Sequence, residues 1–463
     1  MALDVVSAIL FSPRGGSAHA ARAHVRGLRE LGWSVTLLAG SRGEADPDGD
    51  AHAFYGDDVR AVGFSAALDT DAPLKYEGPP GTAPIHPSFE ERPGAPDAVF
   101  ASLDDLDYER QVRAWARELE RAGAATADVL HLHHLTPLSE AARRVAPRVP
   151  IVGHLHGTEL LMLEQIAAGP PAGWRYAERW AERLRQWARH CAELVAAPGG
   201  IERAINLLDV PPERIHALPG GVDTSLFAPR ELNRSAFWQR VLVEHPRGWL
   251  PDGGPGSVRY EADDVARLAR EPVLTYVGRF TAVKRLDLLI EAFGCAQRDG
   301  DRPASLVLVG GHPGEWEGEH PAQLAARLGL ERVFLAGWYT QPELPEFFAA
   351  SDAVVLASER EQFGQVLVEG MACGLPAIAT RSLGPASIVE DGETGWLVAA
   401  NDSRALAAAL GQAVDDPAAR VQRGRAARHA VCERFAWPAV TARLAEVLSE
   451  AAATPPRVGV QAS

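Results

Sequence analysis

Residues 353–380 read "AVVLASEREQFGQVLVEGMACGLPAIAT". "AVVLAS" (353–358) and "PAIAT" (376–380) are short apolar runs of the kind buried in a parallel sheet. Between them the pattern predicts a loop, then a helix starting at about Gln365. Strand, loop, helix and strand in that order make the grammar of a doubly wound α/β sheet, where ligands sit beyond the carboxyl ends of the strands. The loop sets Glu361 just past the first strand, and Glu369 falls on the helix's second turn, eight positions on. Phe363 and Gly364 lie between them, and a glycine lets backbone approach a ligand closely. Carboxylates accept hydrogen bonds from vicinal hydroxyl pairs, which sugars and riboses both offer. Acids at a helix start also complement its dipole. That simpler reading suits one Glu better than two around a Phe-Gly step.

Working outward, "VLTYVGRF" (273–280), "SLVLVGG" (305–311) and "RVFLAGW" (332–338) are further strands, and "LDLLIEAFGCAQ" (286–297) is a helix. The first half repeats the alternation. "VVSAILF" (5–11) leads through a glycine bend, "PRGGS" (13–17), into the helix "AHAARAHVRGLRELG" (18–32) and the strand "SVTLLAG" (34–40). A helix near 108–123, strands at 128–135 and 150–157, a helix over 174–190 and strands near 193–197 and 215–223 complete the series. The fold class is therefore α/β, with two doubly wound Rossmann-like domains over 1–225 and 271–436. Residues 226–270 read as a linker or insert, and 437–452 as a final helix before a disordered tail, 454–463. Residues 41–107 read as a long irregular excursion: a functional loop region, a mobile lid or a disordered insertion. The cleft between two such domains is the default ligand site.

The composition narrows the partners. A formal net charge of −15 over 463 residues argues against nucleic acid or an anionic membrane surface, which both want a basic face. No window approaches the roughly 18 apolar residues of a spanning helix. Four scattered cysteines make no disulfide framework, and the N-terminus reads as a strand, so the expected location is cytoplasmic. The first glycine turn lacks the GxGxxG spacing of a dinucleotide fingerprint. Oligomeric state has no signature here.

One local patch is basic. In "YVGRFTAVKR" (276–285) a strand ends at Gly278, and Arg279 and Lys284 flank the turn into the next helix. Two cations at a helix start suit a diphosphate, although two solvated bases at a loop would look the same.

With those residues in hand, the chain resembles the retaining glycosyltransferases of family 4, which have the GT-B fold. "EREQFGQVLVEGMACGLPAIAT" (359–380) is similar to that family's E-x7-E motif, and "VGRFTAVKR" (277–285) to its phosphate-binding loop. "PGGVD" (219–223) resembles the turn ending its N-terminal domain, and "EDGETGWLV" (390–398) the segment after its donor site. "HGTE" (156–159) and "PRGGSAH" (13–19) resemble its first-domain motifs. In "LGPASIVE" (383–390), Ser387 stands where the family's GGxPE step has its glutamate.

The resemblance implies transfer of a hexosyl unit from a nucleotide-diphosphate sugar to a hydroxyl acceptor, a soluble small molecule or glycoconjugate. It implies retention of configuration, no cofactor and no metal. Arg279 and Lys284 would hold the diphosphate as it leaves, Glu361 the sugar hydroxyls, and Glu369 the ribose. The backbone at Phe363 and Gly364 would donate to sugar or phosphate; Gly278, Gly311 and Gln365 would complete the donor side. His156 would point at the transferred sugar, with Gly15, Gly16 and His19 as the acceptor or phosphate loop. Residues 310–320 would lie near the base, and the final helix would cross back onto the first domain.

Rival readings draw on other residues. His131 and His133 share one strand face, as do His154 and His156, and four imidazoles on neighbouring strands could bind a transition metal. No cysteine or clear carboxylate companion falls at ligand spacing, so we expect cleft-lining or core histidines and no metal. Trp174, Trp180 and Trp187 read as packing. A phosphorylase or epimerase of the same architecture is the alternative enzyme, but Lys75 and Lys284 are the only lysines, which disfavours pyridoxal chemistry. A non-catalytic nucleotide-sugar-binding protein would be favoured if Glu361, Arg279 or Lys284 were missing, and all are present.

Overall fold

A computed structural model of the chain describes residues 2–13, 15–91, 97–300 and 302–454. Arg14, part of the glycine bend, and the tail from 455 lie outside those residues. The chain divides into two units, one of residues 1–219 with 437–463 and one of residues 220–436.

The first unit is built on a parallel sheet of β1 (Asp4–Ile9), β2 (Ser34–Ser41), β3 (Val59–Gly63), β4 (Val129–His133), β5 (Ile151–Leu155), β6 (Glu193–Ala196) and β7 (Ile215–Ala217). The spatial order is β3-β2-β1-β4-β5-β6-β7, so the winding reverses between β1 and β4. Side chains alternate across the sheet. Leu130, Leu132, Ile151 and Leu155 join one core with Trp115, Trp180 and Trp187. Val129, Val152, Val5 and Ile9 join another beneath the helices Gly15–Glu30 and Trp437–Ala453. These two helices touch closely: a Cβ on Gly27 would lie 2.8 Å from Thr441 Cγ2. The first helix starts at Gly15, so the glycines read as a bend are its opening residues.

The second unit holds β8 (Val273–Gly278), β9 (Ser305–Gly310), β10 (Val333–Gly337), β11 (Ala353–Leu356), β12 (Ala377–Thr380) and β13 (Gly395–Val398). All pairs are parallel, in the order β10-β9-β8-β11-β12-β13, with the reversal between β8 and β11.

Two stretches differ from the sequence reading. Residues 41–107, read as irregular, contain the helix Ala51–Tyr55 and edge strand β3. They also bury Phe64, Ile85, Phe89 and Phe100 in the first unit's core. Prolines and glycines interrupt the regular elements there without removing the apolar anchors; residues 92–96 lie outside the described ones. Residues 226–270, read as a linker, belong to the second unit's core. Phe237, Trp238, Trp249, Val265 and Leu268 are all buried. Trp249 stacks on Phe280 at 5.8 Å between ring centres and donates its indole N–H to the Gly311 carbonyl at 3.3 Å. One large aromatic so buried contributes about 2–3 kcal/mol, more than a linker residue would.

Candidate functional site

In the second unit the loops after β8 and β11 emerge side by side, because these strands are neighbours at the reversal of winding, with Val355 opposite Tyr276. That is where an open α/β sheet holds ligands. The loops are tied by backbone: the Glu359 N–H donates to the Val283 carbonyl at 2.9 Å. Close approach of β8 and β9 depends on glycine. Gly310 has φ +115°, and a Cβ there would meet the Gly278 carbonyl oxygen at 2.2 Å; one on Gly311 would meet the Phe280 ring at 2.5 Å.

Arg279 is exposed, and its carbonyl accepts from the Tyr276 hydroxyl at 2.7 Å. Lys284 ends a short turn, and its ammonium pairs with the Glu361 carboxylate. Both side chains are less than one-fifth exposed. A half-buried pair of this kind is firmly aimed, because neither charge finds full hydration elsewhere. Beyond Glu361, the Phe363 ring covers Gly220, where a Cβ would approach it to 2.7 Å. The Gly384 N–H donates to the Glu361 carbonyl at 2.8 Å, and a Cβ on Gly384 would meet the Phe363 carbonyl oxygen at 2.1 Å. The loop is therefore clamped by the Pro385-bearing segment, whose Ser387 hydroxyl donates to its own turn at the Gly384 carbonyl, 2.7 Å away.

Gly364, in the left-handed region at φ +98°, starts the helix Gln365–Ala372. Glu369 on that helix is 4% exposed. Its Oε1 accepts from the Gln341 amide at 2.8 Å and the Gln365 amide at 3.3 Å. Gln365 also donates to the Gly221 carbonyl at 3.1 Å. Burial pushes the Glu369 carboxyl up to about 7, against the pull of both amides. Gln341 and Trp249 escaped the sequence reading. The signal for Gln341 was the capping box Thr340–Glu343, which fixes the turn just after β10.

The first unit carries the remaining predicted residues at separate places on its sheet edge. Gly15, at φ +72°, and Gly16 follow β1, and a Cβ on either would meet nothing within 4 Å among the described residues. His19, one turn along, sets its ring edge-on to Phe54 at 5.0 Å, with Nδ1 3.4 Å from an Arg22 nitrogen. Burial and then the Arg22 charge lower its pKa. His156 follows β5, half-buried, with Nε2 3.0 Å from His133 Nδ1. Burial, and then its histidine neighbours, hold His156 well below the usual imidazole range. Glu159 lies 2.9 Å from His134 Nδ1. Burial pushes its carboxyl up, but His134 and nearby backbone N–H groups more than offset that.

Comparison with known proteins agrees with this division. The model for Glycosyltransferase Family 4 matches residues 14–226, and that for Glycosyl transferases group 1 matches residues 261–430. A D-inositol 3-phosphate glycosyltransferase of Salinispora tropica is 32% identical over 413 residues, which is 84% of this chain and 77% of that one. The chain belongs to glycosyltransferase family 4. A D-inositol 3-phosphate glycosyltransferase of Thermobispora bispora is 34% identical over 255 residues. That match is 53% of each chain, so it spans about half the length of this relative. Among solved structures, Anabaena HepE in complex with UDP is similar with a TM-score of 0.66, covering 97% of this chain and 100% of that one at 19% identity. The shared architecture is GT-B, and the family's two matched segments fall essentially one on each unit.

Proposed function

We propose that this family 4 member is a retaining hexosyltransferase. It takes the sugar from a nucleotide-diphosphate donor held on the second unit and passes it to a hydroxyl acceptor received by the first. The observation that carries the reading is the Lys284–Glu361 pair, with Arg279 close by in sequence, on the loops that follow β8 and β11 at the reversal of winding. In the resting protein Lys284 is neutralised by Glu361. A donor offers each a better partner: pyrophosphate oxygens for the ammonium, sugar hydroxyls for the carboxylate. Arg279, exposed and close in sequence, adds a second cation to the leaving diphosphate. Glu369, held by two amides, accepts from the ribose.

Bond cleavage at the anomeric carbon builds negative charge on the diphosphate and positive charge on the sugar ring. Two fixed cations stabilise the first where a divalent ion would otherwise serve, so the proposal includes metal-independent catalysis without a cofactor. The acceptor hydroxyl attacks from the face the leaving group vacates, giving retention, and its proton passes to the departing diphosphate oxygen on that face. His156 orients the sugar next to the reacting carbon. UDP is the first nucleotide to test, because HepE is solved with UDP. Inositol phosphate is the first acceptor to test, because relatives are named for it. A cytoplasmic location is part of the same reading, supported by four unpaired cysteines.

The test is a thermal-shift panel of UDP-, ADP- and GDP-sugars, followed by NMR of the product's anomeric proton with and without chelator. One donor should stabilise the protein and give a product of unchanged anomeric configuration whether or not chelator is present. An inverted product, or no response to any donor, overturns the reading.

A further inference from the structure

We propose that His131, His133 and His154 form a binding site for a late first-row transition-metal dication, Zn²⁺ foremost. The argument against a metal in the sequence was the lack of a cysteine or carboxylate companion, but the structure gathers an all-imidazole set. His131 and His133 lie two apart on β4 and so share a face, and His154 on β5 stands directly opposite His133 in the register. One ring nitrogen from each of the three falls within 4.8 Å of the others, and all three residues are buried.

Two features favour a ligand set over ordinary core histidines. First, His133 Nε2 is buried with no hydrogen-bond partner among the described residues. A desolvated ring nitrogen left unpaired is unfavourable, and a metal satisfies it. Second, the far nitrogens of two rings already have partners. His131 Nδ1 lies 3.4 Å from Ser7 Oγ, and His133 Nδ1 lies 3.0 Å from His156 Nε2. Metal-bound imidazoles are oriented in this way through their second nitrogen. The contact of His131 Nε2 with His154 Nδ1 at 3.2 Å would give way to coordination. An all-nitrogen set suits Zn²⁺, Co²⁺, Ni²⁺ or Cu²⁺ and not the oxygen-seeking Mg²⁺ or Ca²⁺.

Occupancy has one consequence beyond binding. With metal on Nε2, His133 must carry its proton on Nδ1 and donate it to His156 Nε2. The His156 ring is then fixed as an acceptor at Nε2. The inference stands apart from the glycosyl-transfer reading, since the metal alone reports it.

The full chain, stripped with chelator, is titrated with Co²⁺ and then Zn²⁺. One Co²⁺ should bind with the strong visible bands of a low-coordinate nitrogen site, Zn²⁺ should displace it, and each should raise Tm. His133→Asn and His154→Asn should lose the bands, whereas His429→Asn, at an exposed helix position, should keep them. Weak bands of octahedral aquo type in the native chain, or bands that survive both core variants, would overturn the site. If the core variants fail to fold, X-ray absorption on the Zn²⁺-loaded native chain decides: three imidazoles support the site, and an oxygen-dominated shell overturns it.

Discussion

The two sheet edges share an architecture and differ in charge. Both sheets are parallel and reverse their winding once, between β1 and β4 in the first unit and between β8 and β11 in the second. The second edge carries an ammonium and a carboxylate locked together, an exposed guanidinium, and a buried acid held by two amides. The first carries a bank of imidazoles that burial keeps neutral. The parallel sheet supplies position to both. The chemistry follows from which residues the strands deliver, and on the proposed function the charged groups take the departing diphosphate. The imidazoles of the first edge instead offer ring nitrogens, which can meet a hydroxyl or, in the proposed site, a metal. The edges also differ in support, since the second rests on Trp249, which underlies Gly311.

The largest expected effect tests that support. Trp249→Ala removes a fully buried ring and should cost about 3–5 kcal/mol. Hydrogen exchange locates the loss: amides of β8 and β9 should lose protection while those of β1 and β4 keep it. Equal loss in both sheets would erase the distinction in support. Next comes Lys284→Ala, which should lower kcat by about 10²- to 10³-fold, the scale for losing one preorganised stabiliser of developing charge. The same substitution leaves Glu361 half-buried and unpaired, so a modest fall in Tm should accompany it. A kcat within a factor of a few of the native value would show that charge at this edge is structural.

A third prediction concerns pH. The Glu369 carboxyl sits at about 7 in the folded chain against an ordinary 4.5. The folded state therefore binds a proton that the unfolded state has already released between those values. Stability should fall as pH rises from about 4.5 to 7 and level off above, by at most on the order of 3 kcal/mol from this one group. Glu369→Gln, which keeps the size and removes the titration, should flatten that slope and raise Tm most at pH 8. Donor affinity in the native chain should rise with pH over the same window, because the ionised carboxylate is the better acceptor for ribose hydroxyls. The first unit offers no acid of this kind among its predicted site residues.

Much of this was legible before any coordinates, and the reasons can be named. The buried strands of both sheets are continuous apolar runs bounded by turn signals, as at 305–310 and 353–356, and a parallel sheet needs little more. That Glu361, Arg279 and Lys284 fall at strand ends and helix starts, and Glu369 on the second turn of the helix after Gly364, was legible because chain order alone sets it. β3 was not, since its five residues, "VRAVG", include an arginine and sit among prolines and glycines. Trp249 was not, because it lies far in sequence from Phe280 and Gly311 and no periodicity marks it. The gathering of His131, His133 and His154 was half legible. Alternation showed which rings share a face, but the register between β4 and β5, which sets His133 beside His154, belongs to the fold.

The smallest effect is the most discriminating for the first edge. Gly16 lies in the first turn of the helix Gly15–Glu30, and among the described residues nothing stands where a Cβ would go, so their packing does not explain a glycine there. Alanine has the higher helix propensity, and Gly16→Ala should leave stability unchanged or raise it by about 0.5–1 kcal/mol. Gly15→Ala differs, since φ +72° penalises any side chain, and it should cost about 1 kcal/mol. If Gly16 is there to let a phosphate or the acceptor come against the helix start, Gly16→Ala should lower kcat/KM about tenfold without harming Tm, the price of a slightly misplaced substrate. Unchanged kinetics would remove Gly16 from the site and leave that edge defined by its histidines.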